Sequence, residues 1–461
     1  MSETPNNESE ELSKHYTVPE LVKHSAIPIL TTLLASAYMI VDGLFIANYT
    51  SQTSYAGCIL VTPYMLFFAS IGFMVGGGGN ALIGKLIGEK QREKAVDVFS
   101  MLVEFTIITV VLASIIGGFF LKTFLVYQKA SGELFDEAFR YGVIVMVGAV
   151  FLALQYEFQL FLITSGRELR AFSYTVFAGV TNIGLDALFI LVFHMGVAGA
   201  AIATVTGQFL GAALPFFFYM RAKNLEGELL YFKWTRLEKK PIIDTCVNGL
   251  SEMAENLAES VVSVIYNHKL MVMAGEAGVD AYGSVMYVFM LFTLSFVGFD
   301  ESVVPIIGYK LGAGDEEELK GLIKRCLIVL FSYSVVFFIL TELLAKDFSM
   351  LYSGGNMAVY ELTVNGFDTC SLSLIFMGCS MFIPSMYTGL NDGWLSTLMS
   401  VIQVLILPAM VVSVLPPFLG VDGVWWSQNI AWMLAAVTCL IAVRIAPVHK
   451  YIKREEALRP E

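Results

Sequence analysis

The sequence predicts an all-α membrane protein: twelve transmembrane helices in two pseudo-symmetric six-helix bundles. Three observations predict it. Apolar residues make up 56% of the 461 positions, a membrane composition rather than a soluble one. The apolar residues fall into runs long enough to cross a hydrocarbon core of about 30 Å, which takes about 20 residues per helix. Finally, two separate motifs recur at one common spacing of 224 positions.

The runs of the first half lie near 25–47, 57–82, 95–121, 138–163, 171–193 and 196–220. Those of the second half lie near 242–267, 281–308, 322–344, 361–388, 394–415 and 423–446. Residues 1–24 are polar and acidic, with no apolar core or small-residue cleavage site, so the first span is expected to act as an uncleaved insertion signal. The domain reading is a tail at 1–24, a first lobe at 25–220, a linker at 221–241, a second lobe at 242–446 and a tail at 447–461. Pro28, Pro63, Pro305, Pro384 and Pro408 lie in or near spans and permit bending there.

With both termini in the cytoplasm, 23 of the 28 Lys and Arg fall inside and 5 outside. Such a split is a clear orientation signal and favours an even number of spans. The expected setting is a cell membrane, crossed many times by a functional monomer, with no nucleic-acid partner. Much of the acid behind the net charge of −12 sits in the N-terminal tail and in GDEEEL, read as solvated surface. The six cysteines are scattered without paired spacing, which supports neither a disulfide framework nor a zinc site.

IGKLIGEKQREKA (83–95) pairs with IGYKLGAGDEEEL (307–319), and MGVAGAA (195–201) with LGVDGVW (419–425), both at 224. Six spans per half is even, so both halves enter from the same side and form a parallel repeat. Such repeats mark transporters, with the substrate site near mid-membrane.

Ionisable groups in spans are costly and usually face a cavity or a partner. Asn182 and Asp186, four apart in TNIGLDALFI, share a face of the fifth span. At about 1.5 Å per residue, Asp186 lies roughly 22 Å and Asp42 roughly 25 Å from the inner face, and Thr204 roughly 12 Å from the outer one. All three thus fall in the outer half of the bilayer, within the first lobe. Together they suit an oxygen-lined cation site. A proton site is the alternative, since two nearby carboxylates in a dry place do not both ionise. In the blander reading Asp42 only meets an interfacial water layer.

The second lobe carries Glu252, Glu255 and Glu259 in one stripe of its first span, and Asp300 and Glu301 in its second. Five carboxylates at one depth would form an electronegative wall for an organic cation, or line a water-filled vestibule without specific binding. Tyr287, Phe289, Met290 and Phe292 are candidates for an adaptable pocket lining, and equally for ordinary packing.

GNALIGKL (79–86) resembles a phosphate loop, but Leu86 replaces the hydroxyl that would meet Mg²⁺ and no strand precedes it. An intramembrane aspartyl hydrolase built on Asp42 and Asp186 is a distant alternative. No enzymatic activity and no resident cofactor are expected, only a coupling ion.

IPILTTLLASAYMIVDGLFI, NALIGKLIGEKQREKA, the stretch FLITSGRELRAFSYTVFAGVTNIGLDALFILVFHMGVAGAAIATVTGQ, VVPIIGYKLGAG and FLGVDGVWWSQNIA resemble the multidrug and toxic compound extrusion (MATE) family over roughly 20–447. The style is similar to the bacterial branch that includes small-cation drug exporters. The resemblance implies a V-shaped pair of bundles exporting organic cations by antiport against Na⁺ or H⁺. By motif match it places Asp42, Asn182, Asp186 and Thr204 at the family's first-lobe cation site, as metal ligands if the ion is Na⁺. Glu259 falls near the family's acidic position in the second lobe. Glu252 and Glu255 are extra, and Asp300-Glu301 stands where many members have Gln. A flippase of lipid-linked or other amphiphilic cargo is the runner-up.

Overall fold

The computed structural model describes residues 11–225, 227–353 and 355–458. Residues 1–10 of the expected N-terminal tail and Arg459 of the orientation count lie outside them. The chain forms two compact units, one built on Leu30–Gly249 and one on Leu250–Glu461 together with His15–Ile29.

The first lobe holds α1 (Val18–Tyr49), α2 (Gln52–Gly88), α3 (Arg92–Tyr127), α4 (Gly132–Thr164), α5 (Glu168–Asp186, continued by a π-helical segment Ala187–Val192) and α6 (Gly196–Ala222). α1 begins seven residues before the apolar run does. The reason is local: in TVPE, Glu20 accepts the Thr17 backbone N–H at 2.9 Å and its hydroxyl at 2.8 Å. That is half of a capping box, with Pro19 in the first turn where no N–H is missed.

A continuous 75-residue stretch, Lys239–Ala313, follows. At about 1.5 Å per residue it is far too long for one crossing. Gly275 breaks it, at φ 65° and ψ −154°, into α7 (239–274) and α8 (276–313). The loop expected at 268–280 is thus helical on both sides of one glycine. The second lobe continues with α9 (Glu316–Tyr352), α10 (Met357–Cys370), α11 (Ser373–Gly389), α12 (Gly393–Ser400), a π-helical segment Val401–Ile406, α13 (Leu407–Val414), α14 (Pro416–Leu419), α15 (Val421–Ile445) and a terminal α16 (Val448–Leu458).

Ten helices are long and apolar enough to cross a membrane, and α10 with α11 makes an eleventh, bent by 57°. Counting α7 and α8 separately gives twelve crossings among the described residues. Large apolar side chains face outward along them, Phe119 at 81%, Val147 and Leu343 at 72% exposure. Patches of that kind need lipid to cover them. The protein is a multi-span, all-helical membrane protein.

The one measured bend does not fall at a proline. The 57° bend falls at Ser371–Leu372, whereas Pro384 sits inside α11. At the bend Ser373 Oγ donates to the Cys370 carbonyl at 2.7 Å, and Ser371 Oγ donates to the Glu342 carboxylate. Side-chain hydroxyls compete there for backbone acceptors, a recognised cause of kinks.

The linker is not a free tether. Between α6 and α7 it runs extended along α3: Lys233 N donates to Ser100 Oγ at 3.1 Å and Thr235 N to Glu104 Oε1 at 2.8 Å. Glu228, buried, takes Arg167 at 2.9 Å and Arg170 at 3.5 Å. Lys233 Nζ lies 2.7 Å from Asp97, and that carboxylate holds the lysine above its ordinary pKa.

Candidate functional site

α1, α5 and α6 bring Asp42, Asn182, Asp186 and Thr204 into one cluster in the first lobe. Asp186 and Asn182 are fully buried at 0% and 1% exposure, Thr204 is buried and Asp42 half-buried. The Asp42 and Asp186 carboxyl groups are neighbours in this cluster. Two ionised carboxylates have no hydrogen to share, so such a pair needs a proton or a cation between them. Thr204 donates its hydroxyl to the Ala200 carbonyl at 3.0 Å. Its oxygen lies 3.4 and 3.5 Å from the two Asp42 oxygens, at the limit of a hydrogen bond. Neither oxygen of Asp186, nor the oxygen or nitrogen of Asn182, has a partner among the described residues. Orphaned buried acceptors of this kind call for an explanation. Carboxylates, an amide and a hydroxyl are hard oxygen donors, and they fit a small hard cation or a proton.

Local backbone chemistry builds the cluster. Asp186 ends the regular part of α5, and Phe193 N then bonds to Leu188 O at 3.0 Å, a bond reaching five residues back. π-helical turns often mark functional positions. Glycines let the helices close in. A Cβ on Gly207 would lie 3.0 Å from Asn182 Cβ, one on Gly179 3.1 Å from the Tyr38 ring, and one on Gly211 2.7 Å from Gln155.

Three residues of this cluster escape the sequence reading. Gln155 Nε2 donates to Tyr38 Oη at 3.1 Å, and the buried Tyr141 stands beside Asp42 and Thr204. Tyr38 was findable, since it precedes Asp42 by one helical turn. Tyr141 and Gln155 read as ordinary members of α4.

In the second lobe, Glu252 lies beside Glu255, Asp300 and Glu301. Glu255 accepts from Ser400 Oγ, the last residue before the second π-helical segment. Asp300, buried at 5%, accepts from Ser385 Oγ at 3.1 Å, while its Oδ1 has no donor among the described residues. Glu259 is exposed and neighbours Glu255 and Tyr282. Of the four candidate pocket residues, Phe289 is buried, Met290 and Phe292 are half-buried, and Tyr287 is 54% exposed and stacked on Tyr352. All six cysteines are free thiols.

The MatE family model matches residues 28–188 and again 253–414, once in each lobe. The chain belongs to the MatE family. Among relatives, the multidrug export protein MepA of Staphylococcus saprophyticus is 23% identical over 441 residues, covering 94% of this chain and 95% of that protein. MepA of Staphylococcus haemolyticus is 25% identical over 427 residues, 91% of this chain and 92% of its own. Among solved structures, an outward-facing multidrug resistance MATE family transporter of the MOP superfamily superposes with a TM-score of 0.89 at 19% identity, covering 99% of this chain and all of the other. A MOP superfamily transporter from Pyrococcus furiosus, described by a binding pocket of reverse polarity that suggests a different function, reaches 0.87 at 20% identity over the whole of both chains. At these identities the structures establish that this MatE chain has the fold of those transporters.

Proposed function

We propose that the protein is a secondary active antiporter that exports small organic cations in exchange for Na⁺ or H⁺. The observation that carries this reading is the pair of neighbouring carboxylates, Asp42 and Asp186, flanked by Asn182 and Thr204, with no cationic side chain bonded to them among the described residues. An ion arriving there neutralises charge that nothing else in the cluster offsets. Cargo and ion exclude each other when each binds a different state of the first lobe more tightly. Occupancy by the ion then favours the state that releases cargo.

The second lobe supports a cationic cargo over an anionic or lipid-linked one. Glu252, Glu255, Asp300 and Glu301 gather acidic oxygens that suit an organic cation and disfavour phosphates. Both termini are placed in the cytoplasm of a bacterial inner membrane, on the strength of the 23-to-5 division of Lys and Arg.

The test is dye efflux from proteoliposomes under separately imposed Na⁺ and pH gradients. The reading expects one gradient or the other to drive a cationic dye. Efflux indifferent to both gradients would remove antiport from consideration.

A further inference from the structure

α4 carries another acid that the cluster above does not use. Glu157 is fully buried, at 0% exposure, and neither of its carboxylate oxygens has a donor among the described residues. One polar side chain lies against it, Thr106 of α3. Thr204, Thr341 and Thr363 donate their hydroxyls to the carbonyl four residues back. Thr106, also fully buried, makes no such bond, so its hydroxyl is available to the carboxyl group. α2 approaches with backbone alone, since a Cβ on Gly76 would lie 3.1 Å from Glu157 Cα. α7 contributes the Cys246 thiol, the titratable group that faces Glu157.

A buried ionised carboxylate needs several donors or a paired cation. Among the described residues, the polar side chain beside Glu157 is Thr106, and it makes no hydrogen bond to the acid. A metal ion would need more oxygens than a carboxylate and one hydroxyl, whereas a proton needs only the carboxylate. The place is also distinct from the Asp42–Asp186 cluster. Gln155, two residues earlier, turns toward Tyr38. Two residues rotate a helix by about 200°, so Glu157 looks out of the other side of α4.

Next to Glu157, which neighbours Gly76 of α2 and Cys246 of α7, these two helices meet along a seam of backbone. A Cβ on Gly78 would lie 2.1 Å from the Thr245 carbonyl oxygen, and one on Gly249 1.8 Å from that of Met74. α2 and α7 therefore touch through glycines, with no side chains interlocked between them at these points. Parting such a seam wets the acid, and closing it dries the acid again.

We propose that Glu157, beside Thr106, is a second proton-binding site of the first lobe, loaded when the α2–α7 seam is closed and emptied when it opens. The inference rests on the antiport reading, because a proton bound and released in every cycle is carried at the expense of a gradient.

Infrared spectroscopy of the protein in nanodiscs, combined with proton counting in proteoliposomes, tests it. The wild type should show the carbonyl stretch of a buried neutral acid that is missing in Glu157→Gln and shifted in Thr106→Val. Glu157→Gln should still export cargo, with one fewer proton moved per cargo ion. An unchanged carbonyl band in Glu157→Gln, or an unchanged proton count, overturns the proposal. Thr106→Val guards against misfolding of the first variant, since it keeps the acid and alters only its partner. Asp186→Asn measured alongside separates the two readings. Its band for Glu157 should persist, and normal efflux by that variant would sink the antiport assignment without touching Glu157.

Discussion

The two lobes share a backbone and differ in chemistry. Their turns repeat with the same left-handed residues: Lys90 and Gly314, Gly166 and Asn391, Gly196 and Gly420, spaced 224 or 225 positions apart. Their acids do not repeat. At 224 positions beyond Asp42 stands Tyr266, and beyond Asp186 stands Met410. In the other direction, Glu255 faces back to Thr31 and Asp300 to Gly76. Each lobe nevertheless sets an acid of its opening helix against the residue that precedes a π-helical segment, Asp42 against Asp186 and Glu255 against Ser400. The duplicated turns specify where helices begin and end. The chemistry of each lobe comes from a few polar residues placed independently on that frame.

If the lobes divide the work, removing one acid from each should give different losses. Asp186→Asn is expected to abolish ion-driven efflux while leaving the protein folded, read by efflux and by thermal unfolding of the purified protein. Loss of folding along with efflux would make the residue structural. Glu255→Gln should narrow the range of cationic cargo and weaken binding of the remaining cations about tenfold, or ~1.4 kcal/mol, with neutral dyes unaffected. Equal affinity for every cation tested would reduce the second-lobe acids to a vestibule lining.

Smaller effects probe the frame. Gly207→Ala forces α5 and α6 apart at Asn182 and should cost about 1–3 kcal/mol, together with part of the ion affinity. Stability at the wild-type level would show that the close approach is slack. Lys233→Ala removes the linker's ion pair with Asp97, a half-exposed contact worth about 0.2–1 kcal/mol. The sign follows from the raised pKa of Lys233. Its contribution is full below the ordinary lysine pKa and fades as pH rises through the raised one. Wild-type stability should converge on that of Lys233→Ala at strongly alkaline pH or high salt, and a gap that persists under both would point to packing by the lysine stem.

Much of this was legible in the sequence, for identifiable reasons. Apolar runs reveal spans because lipid demands them, and the glycine-bearing motifs reveal the repeat because left-handed turns tolerate few other residues. Asp42 and Asp186 stand out because acids are rare in hydrocarbon. Glu157 stands alone in YEFQLF of the fourth span, with no second acid one turn away. The bend at Ser371, the π-helical turn after Asp186 and the strap along α3 had no sequence signal. They depend on which carbonyl a hydroxyl finds and on packing between distant segments, and neither is periodic along the chain.

The most direct test of the central claim records cargo exit and ion entry together in proteoliposomes holding wild type or the Asp42→Asn/Asp186→Asn double variant. The account predicts cargo-dependent ion entry in the wild type and none in the double variant. Ion entry that persists in the double variant, in step with cargo exit, would contradict it.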